Sequence, residues 1–346
     1  MFEIDPDDSG ELEAVQELLT RRNDDTLFVA LTQNDLPITK AQELRKIGID
    51  EVLPVSIDGE GLKAAVNGKT IPRTLPQLLT SNGKSALGRV IPVAKSRGGI
   101  GASTVAVNLA CSLVGGKGSL FRKTEKKRVA LLDLDLQFGN ANVFLDLEDN
   151  GGCLQFIENS EEPDDHFLTS ILQSHTLGID VLCAPAPLVP LQSIHTKLLD
   201  EMLNLLQRRY DYIVIDLPCA VVEWVEPIFK RATRLALVTD TSVPCVRQTR
   251  RLIDFYREAN VSLPVEVIVN REPKTMLKPG HVREAEKVLK TKLKHWLPEN
   301  LKVARKSVDL GRPIVDMKPG SDLGKALTRL AEAMSEDVRQ MATKNK

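Results

Sequence analysis

The residues with the clearest chemical potential lie in "SRGGIGAST", Ser96–Thr104, between the strand-like run "RVIPVA" and a helix-like segment. Gly98, Gly99 and Gly101, with Ile100 among them, let backbone N–H groups converge on phosphate oxygens where a helix begins. Ser103 stands where a hydroxyl would ligate magnesium, with Thr104 beside it. Two further stretches supply acids. "LLDLDLQFGNAN" carries Asp133 and Asp135, two residues apart and so on the same side of an extended chain. "YDYIVIDLP" is an apolar strand ending in Asp216, the form taken by an acid that orients magnesium through water. Any one of these acids could merely terminate a strand. All three, in this order after a glycine bend, point to a site for a nucleotide and magnesium.

Such a site needs strands that end together. Near-continuous apolar runs at 89–94, 128–134, 179–184, 212–217, 234–240 and 265–270 predict parallel strands covered on both faces. Between two of them "KLLDEMLNLLQRR" sets Leu198, Leu199, Met202, Leu205 and Leu206 on one helical face. Strand, helix and strand in alternation predict an α/β fold with a doubly wound, mostly parallel sheet over residues 89–346. Residues 69–88, broken by prolines, glycines and polar residues, read as a linker. Residues 1–68 read as a small α/β segment, with strands in "TLFVAL" and "DEVLPVSI" and helices in "ELEAVQELLTRR" and "KAQELRKIG".

Composition narrows the function classes. The chain has 346 residues, 42% hydrophobic, with 46 basic against 47 acidic side chains. That balance argues against wholesale commitment to nucleic acid but leaves room for a local basic face. The N-terminus lacks a basic start followed by an apolar run, so no signal peptide is expected. No window holds about 18 uninterrupted apolar residues, so no integral membrane segment is expected either; the expectation is a cytoplasmic protein. Cys111, Cys153, Cys183, Cys219 and Cys245 have no metal or disulfide spacing and suit small buried hydrophobes. His166, His175, His195, His281 and His295 have no ligand spacing and suit surface or loop positions. The insertion 115–128, with six basic residues and one acid, suits a solvated loop better than an electrostatic docking site.

The order "RGGIGAST", "DLDLQFGNAN", "DYIVIDLP", "VTDTSVPCVRQTRRL", "VNR" resembles the MinD/ParA superfamily of deviant-Walker ATPases over about residues 88–335. Within it, "DLDLQFGN" and "TDTSVPCVRQTRRL" are most similar to the TadZ/CpaE pilus-assembly branch. That branch couples a degenerate receiver-like N-terminal domain to the ATPase fold. Residues 1–68 resemble the back half of a response-regulator receiver. Asp5 falls at the phosphoacceptor and Thr32 at the switch hydroxyl, but Val55 replaces the lysine and the strand of acidic metal ligands is missing. Without those groups nothing would offset the charge of phosphoryl transfer at Asp5, so a non-phosphorylated interaction module is expected.

The resemblance implies ATP and Mg2+ as cofactors. By position, Asp135 matches the acid that aligns the attacking water. Ser103, Asp133 and Asp216 match the magnesium side, and Asn270 with Arg271 the adenine-side loop. "LPENLKVARKSVDLGRPIVD" matches a later purine-side loop, bringing in Pro298. The superfamily pattern, Lys-Gly-Gly-x-Gly-Lys-Ser/Thr, is altered at both lysines. Arg97 replaces the one that reaches across a dimer, and Ala102 the one that contacts the β- and γ-phosphates. A methyl group cannot neutralise transition-state charge, and losing one such contact costs about 3–4 kcal/mol, a hundred- to a thousandfold in rate. Binding should suffer less, since backbone amides and magnesium remain. Arg97 keeps a charge with different reach, and Lys95 could fold in from upstream.

Three functions follow from the resemblance. The first is an ATP-binding homodimer with little or no hydrolysis. It would mark a pole or an inner-membrane site through partners and recruit Tad/Flp pilus secretion proteins. The second is a ParA-like partition ATPase binding DNA through Arg247, Arg250, Arg251, Arg257, Lys274 and Lys278, against which a solvated helix face is the favoured reading. The third is a MinD-like membrane-surface regulator. Its C-terminal segment sets Leu323, Leu327, Leu330, Met334 and Val338 at helical spacing, but the mixed charges of the other face suit a helix packed on the sheet. Trp224, eight residues beyond Asp216, suits either a dimer interface or the core.

Overall fold

A computed structural model describes residues 87–115, 126–159, 161–274 and 279–336, with residues 2–3, 10, 15, 28–32, 44, 49 and 51–54 nearer the N-terminus. The chain divides into two compact units, Met1–Gly83 and Lys84–Lys346. In the first, β1 (Phe2–Glu3), β2 (Val29–Thr32) and β3 (Glu51–Pro54) form a parallel sheet in that order. Both predicted strands are present, and β1 is an addition. Thr32 is buried. Asp5 and Val55, on which the receiver comparison turns, lie outside the described residues, as do residues 69–86 of the linker. Gly88 belongs to the second unit: its N–H donates to the Gln207 carbonyl at 2.7 Å and its own carbonyl accepts from Gln207 Nε2 at 3.0 Å.

The second unit begins with β4 (Arg89–Lys95), which leads through the glycine bend into α1 (Ala102–Leu113). Next come β5 (Val129–Asp133) and the short helices α2 (Ala141–Phe144), α3 (Gly152–Glu158) and α4 (Asp165–Ile171). A hairpin of β6 (Gln173–Ser174) and β7 (Ile179–Leu182) precedes α5 (Thr196–Arg209) and β8 (Tyr212–Asp216). The chain continues through α6 (Glu226–Arg231), β9 (Leu235–Thr239), α7 (Val243–Ala259), β10 (Val265–Asn270), α8 (Gly280–Leu289) and β11 (His295–Leu297). It closes with α9 (Leu301–Asp309), α10 (Ile314–Met317) and α11 (Asp322–Ser335). The sheet order is β11-β10-β9-β4-β8-β5-β7-β6, with every neighbouring pair parallel except β6 and β7.

Why the strands read as unbroken apolar runs is visible in the two cores. Alternate residues serve opposite faces. Val90, Leu132, Ile213, Ile215, Leu235 and Val269 pack into one buried cluster with α5, α6, α7 and α8. Ile91, Val93, Leu131, Val214, Val238 and Ile268 pack into the other with α1 and α11. The sheet is covered on both sides, as the alternation of strand and helix predicted. Leu323, Leu327, Leu330 and Met334 of α11 are buried against this second face, which favours packing on the sheet; Val338 lies outside the described residues.

Several local expectations need correction. On α5 the fifth buried residue is Leu203, whereas Leu205 is only half-buried. Cys219 is exposed and Cys111 half-buried. Of the two readings of Trp224 the core one holds, and its indole N–H donates to the Leu191 carbonyl at 2.7 Å. His295 begins β11 and is half-buried, with Nε2 3.1 Å from the Glu266 carboxylate, whereas His175 keeps a loop position. Strands β6 and β11 are too short to show as runs in sequence.

Candidate functional site

Parallel strands put the carboxyl ends of β4, β5, β8, β9 and β10 along one edge. Ligands of open α/β sheets bind at that edge. The glycine bend leaves β4 here. Gly99 and Gly101 have φ of 72° and 93°, the left-handed region in which a side chain is strained. The turn they make presents the first N–H groups of α1, which have no acceptor within the helix. N–H groups exposed in this way are suited to phosphate oxygens.

What holds the bend is a pair of residues from the end of β10. The Asn270 side-chain N–H donates to the Ile100 carbonyl at 2.7 Å, and its Oδ1 accepts from the Arg271 backbone at 2.9 Å. The Arg271 guanidinium donates to the Gly99 carbonyl at 2.8 Å. Arg271 itself has φ of 62°, a conformation uncommon outside glycine and one that surrounding structure must enforce. A Cβ on Gly101 would stand 2.5 Å from Asn270 Nδ2. The bend and the β10 loop are thus fitted to each other. Pro298 follows Leu297, the register partner of Asn270, and so lies at the same end of the sheet.

The acids lie deeper. Asp133, Asp135 and Asp216 are all buried. Asp133 Oδ2 accepts from the Ala141 N–H at 2.9 Å and Oδ1 from the Asp135 N–H at 3.3 Å, so this carboxylate shapes the loop that follows β5. Burial and the neighbouring Asp216 push its pKa up, against the pull of those two amides. Burial raises Asp216 as well, opposed by the Lys95 charge and the Ser103 hydroxyl beside it. Despite these neighbours, neither oxygen of Asp216 makes a hydrogen bond of good geometry.

Between the acids sits Lys95, the last residue of β4. Its Nζ is 2.8 Å from Asp135 Oδ2 and 3.8 Å from Asp216 Oδ1, and the side chain is only 8% exposed. Burial would lower its pKa, but Asp216 and Asp135 outweigh burial and hold it above the ordinary lysine value. The lysine is a charged counter-ion. Sequence spacing allowed this placement but did not require it, because a lysine ending a strand normally points to solvent.

The two positions altered from the superfamily pattern are also resolved. Ala102 begins α1, buried on its core-facing side. Arg97 is half exposed and its guanidinium bonds Asp240 Oδ2 at 3.0 Å, within the same chain. Asp240 also accepts from the Ser242 N–H at 3.0 Å. Burial opposes ionisation there, but Ser242 and Arg97 hold the Asp240 pKa down at about 2. Sequence reasoning missed Asp240, and also Glu272, whose carboxylate accepts from the Thr241 N–H and hydroxyl at 2.8 Å each. An acid two residues before a serine at a strand end is the signal that could have exposed Asp240.

Among the described residues no cluster of three or more His, Cys, Asp or Glu is arranged to hold a metal by itself. The donor set instead suits a hydrated cation shared with a phosphate chain: one hydroxyl, from Ser103, and a buried carboxylate with both oxygens unpartnered, Asp216. Among the same residues, no helix is long and apolar enough to cross a membrane. On α7, Arg247, Arg251 and Arg257 are exposed while Arg250 is paired with Asp254; Lys278 lies outside the described residues.

A family model described as an AAA domain matches residues 88–243. The septum site-determining protein MinD of Thermotoga maritima is 25% identical over 215 residues, covering 61% of this chain and 72% of that protein. A ParA family ATPase of Chlorobium tepidum superposes with a TM-score of 0.63 at 21% identity, covering 72% of this chain and 100% of the other. The septum site-determining protein MinD of Pyrococcus horikoshii, complexed with Mg-ADP, superposes with a TM-score of 0.58 at 21% identity, covering 72% and 97%.

Proposed function

We propose that residues 89–346 form a MinD/ParA-like P-loop ATPase domain, and that this protein binds ATP with magnesium and works as a positioning scaffold rather than a fast hydrolase. The matched AAA-domain model and the similarity to MinD and ParA proteins support this reading. The single observation that carries the binding half is the braced glycine bend: Gly99 and Gly101 at positive φ, fixed by Asn270 and Arg271, open onto the amino end of α1. Ala102 carries the other half. No cation projects from the helix position that would meet the β- and γ-phosphates, so transition-state charge is poorly offset and turnover is slow or absent.

Within this reading the chain's groups divide the work. Backbone N–H groups of residues 98–104 bind the phosphates, and Ser103 with Asp216 would hold magnesium, which supplies positive charge to the phosphate chain. Asp133 fixes the loop carrying Asp135. Asp135 would align a water once free of Lys95. Asn270 and Arg271 keep the bend in shape, and with Pro298 they border the space for a base at this end of the sheet.

The biological role we favour is that of a TadZ/CpaE-like factor, a homodimer that recruits Tad/Flp-type pilus secretion proteins to a pole or to the inner membrane face. Its support is the pair of segments "DLDLQFGN" and "TDTSVPCVRQTRRL" together with a small three-stranded parallel sheet earlier in the chain. That first unit would be the docking or dimerisation module. Deleting residues 1–68 should abolish focal localisation of a fluorescent fusion while leaving ATP affinity intact; foci that persist would count against the role. A salt-sensitive DNA gel shift by the full chain would favour the partition reading instead.

A further inference from the structure

We propose that Lys95 is a phosphate-binding cation of this site: its ammonium turns from Asp135 and Asp216 to the phosphate chain of a bound nucleotide, supplying from the end of β4 a charge for binding, while the helix position that would offset transition-state charge stays empty at Ala102. This rests on the nucleotide-binding reading above and adds to it a residue that lies outside the superfamily's lysine positions.

Burial is the first reason. An ammonium removed from water is costly unless it is paired, and Lys95 is buried at a strand end beside Asp133, Asp135 and Asp216. Its present pairing is uneven. It makes one hydrogen bond, to Asp135, and a longer 3.8 Å ion pair with Asp216, whose oxygens make no hydrogen bond. An ammonium on a flexible four-carbon stem, held by one bond, can be re-aimed without moving the strand.

The other cations flanking the bend are the second reason. Arg97 is drawn outward onto Asp240, and Arg271 is spent bracing Gly99. Lys95 remains, two residues before the bend. Ser96, between Lys95 and Arg97, is also buried with its hydroxyl making no hydrogen bond, so a second polar group stands beside Lys95 at the neck of the bend. One consequence concerns Asp135. The ammonium occupies one acceptor site on its Oδ2 and the Phe138 N–H one on its Oδ1, so Lys95 leaving would free that carboxylate further to orient a water.

The test is calorimetric titration of the full-length chain with ATP, ADP and AMP in the presence of Mg2+, for the wild type, Lys95→Met, Lys95→Gln and Lys95→Arg. Glutamine keeps a hydrogen bond to Asp135 without charge, which guards against loss of the fold. A charge-assisted bond to phosphate predicts that methionine and glutamine weaken ATP binding by about tenfold to a hundredfold, ADP less and AMP least, with arginine recovering part of the loss. Unchanged ATP affinity in the methionine and glutamine variants would overturn this role for Lys95 and leave nucleotide binding standing. An equal loss for all three nucleotides would do the same, marking Lys95 as a structural counter-ion only. A wild type that binds none of the three would overturn the nucleotide reading itself, and this inference with it.

Discussion

Replacing Gly101 by alanine should cost more than backbone strain, and the excess should disappear when Asn270 is removed. The native φ of 93° is hostile to a side chain, which alone costs about 1–2 kcal/mol. The new Cβ would also stand 2.5 Å from Asn270 Nδ2. To escape, the amide must give up its 2.7 Å bond to the Ile100 carbonyl, leaving a buried group unpaired at about 1–3 kcal/mol. Gly101→Ala should therefore destabilise by about 2–5 kcal/mol and Asn270→Ala by about 1–3. Together they should cost no more than Gly101→Ala alone, because the clash and the lost bond are the same event. The expected coupling is about 1–3 kcal/mol. Urea unfolding followed by tryptophan fluorescence measures it, since both tryptophans, Trp224 and Trp296, lie in the second unit. Strictly additive costs would refute the idea that the β10 loop and the glycine bend are fitted together.

Three further outcomes are expected. Ala102→Lys, returning the ammonium to the helix position, should raise the rate of phosphate release by about a hundred- to a thousandfold if its absence limits turnover; an unchanged rate would place the deficiency elsewhere. Asp133→Asn keeps an acceptor for the Ala141 N–H and removes a charge that burial and Asp216 disfavour, and Asp133→Ala, which also strips that acceptor, should be less stable than Asp133→Asn by about 1–3 kcal/mol in a denaturant titration. Burial would raise the Glu266 pKa, but His295 and Arg234 hold it below the ordinary value of 4.5. Its contribution to stability is therefore present above that value and lost as pH falls through the lower native one. Glu266→Gln should flatten that part of the stability–pH curve, so that mutant and wild type converge in acid.

The fold was legible because its signals are local. Each apolar run of the central strands is buried on both faces, which leaves no polar alternation to confuse it with an edge strand. Strands β6 and β11 escaped notice because two or three residues carry no period. The glycine bend was legible for a similar reason: positive φ restricts the residue type, so Gly99 and Gly101 announce the geometry. The positions of Lys95, Asp240 and Glu272 were not legible, since each depends on which side chain lies across the sheet edge. Asn270 shows both sides of this. Its place at the site followed from the resemblance, but its grip on the Ile100 carbonyl, 170 residues away in sequence, is a product of the β4, β9 and β10 pairing. Leu205 and Leu203 differ because the face of α5 that meets the sheet is set by packing, and a run of leucines leaves that angle open.

Titration of the purified full-length chain with ATP and Mg2+, with Gly101→Ala as the control, bears most directly on the nucleotide site. A saturating heat corresponding to one ATP per chain, lost or strongly reduced in the control, is the predicted outcome. Equal heats from both proteins, or none from either, would mean that the bend does not hold the triphosphate.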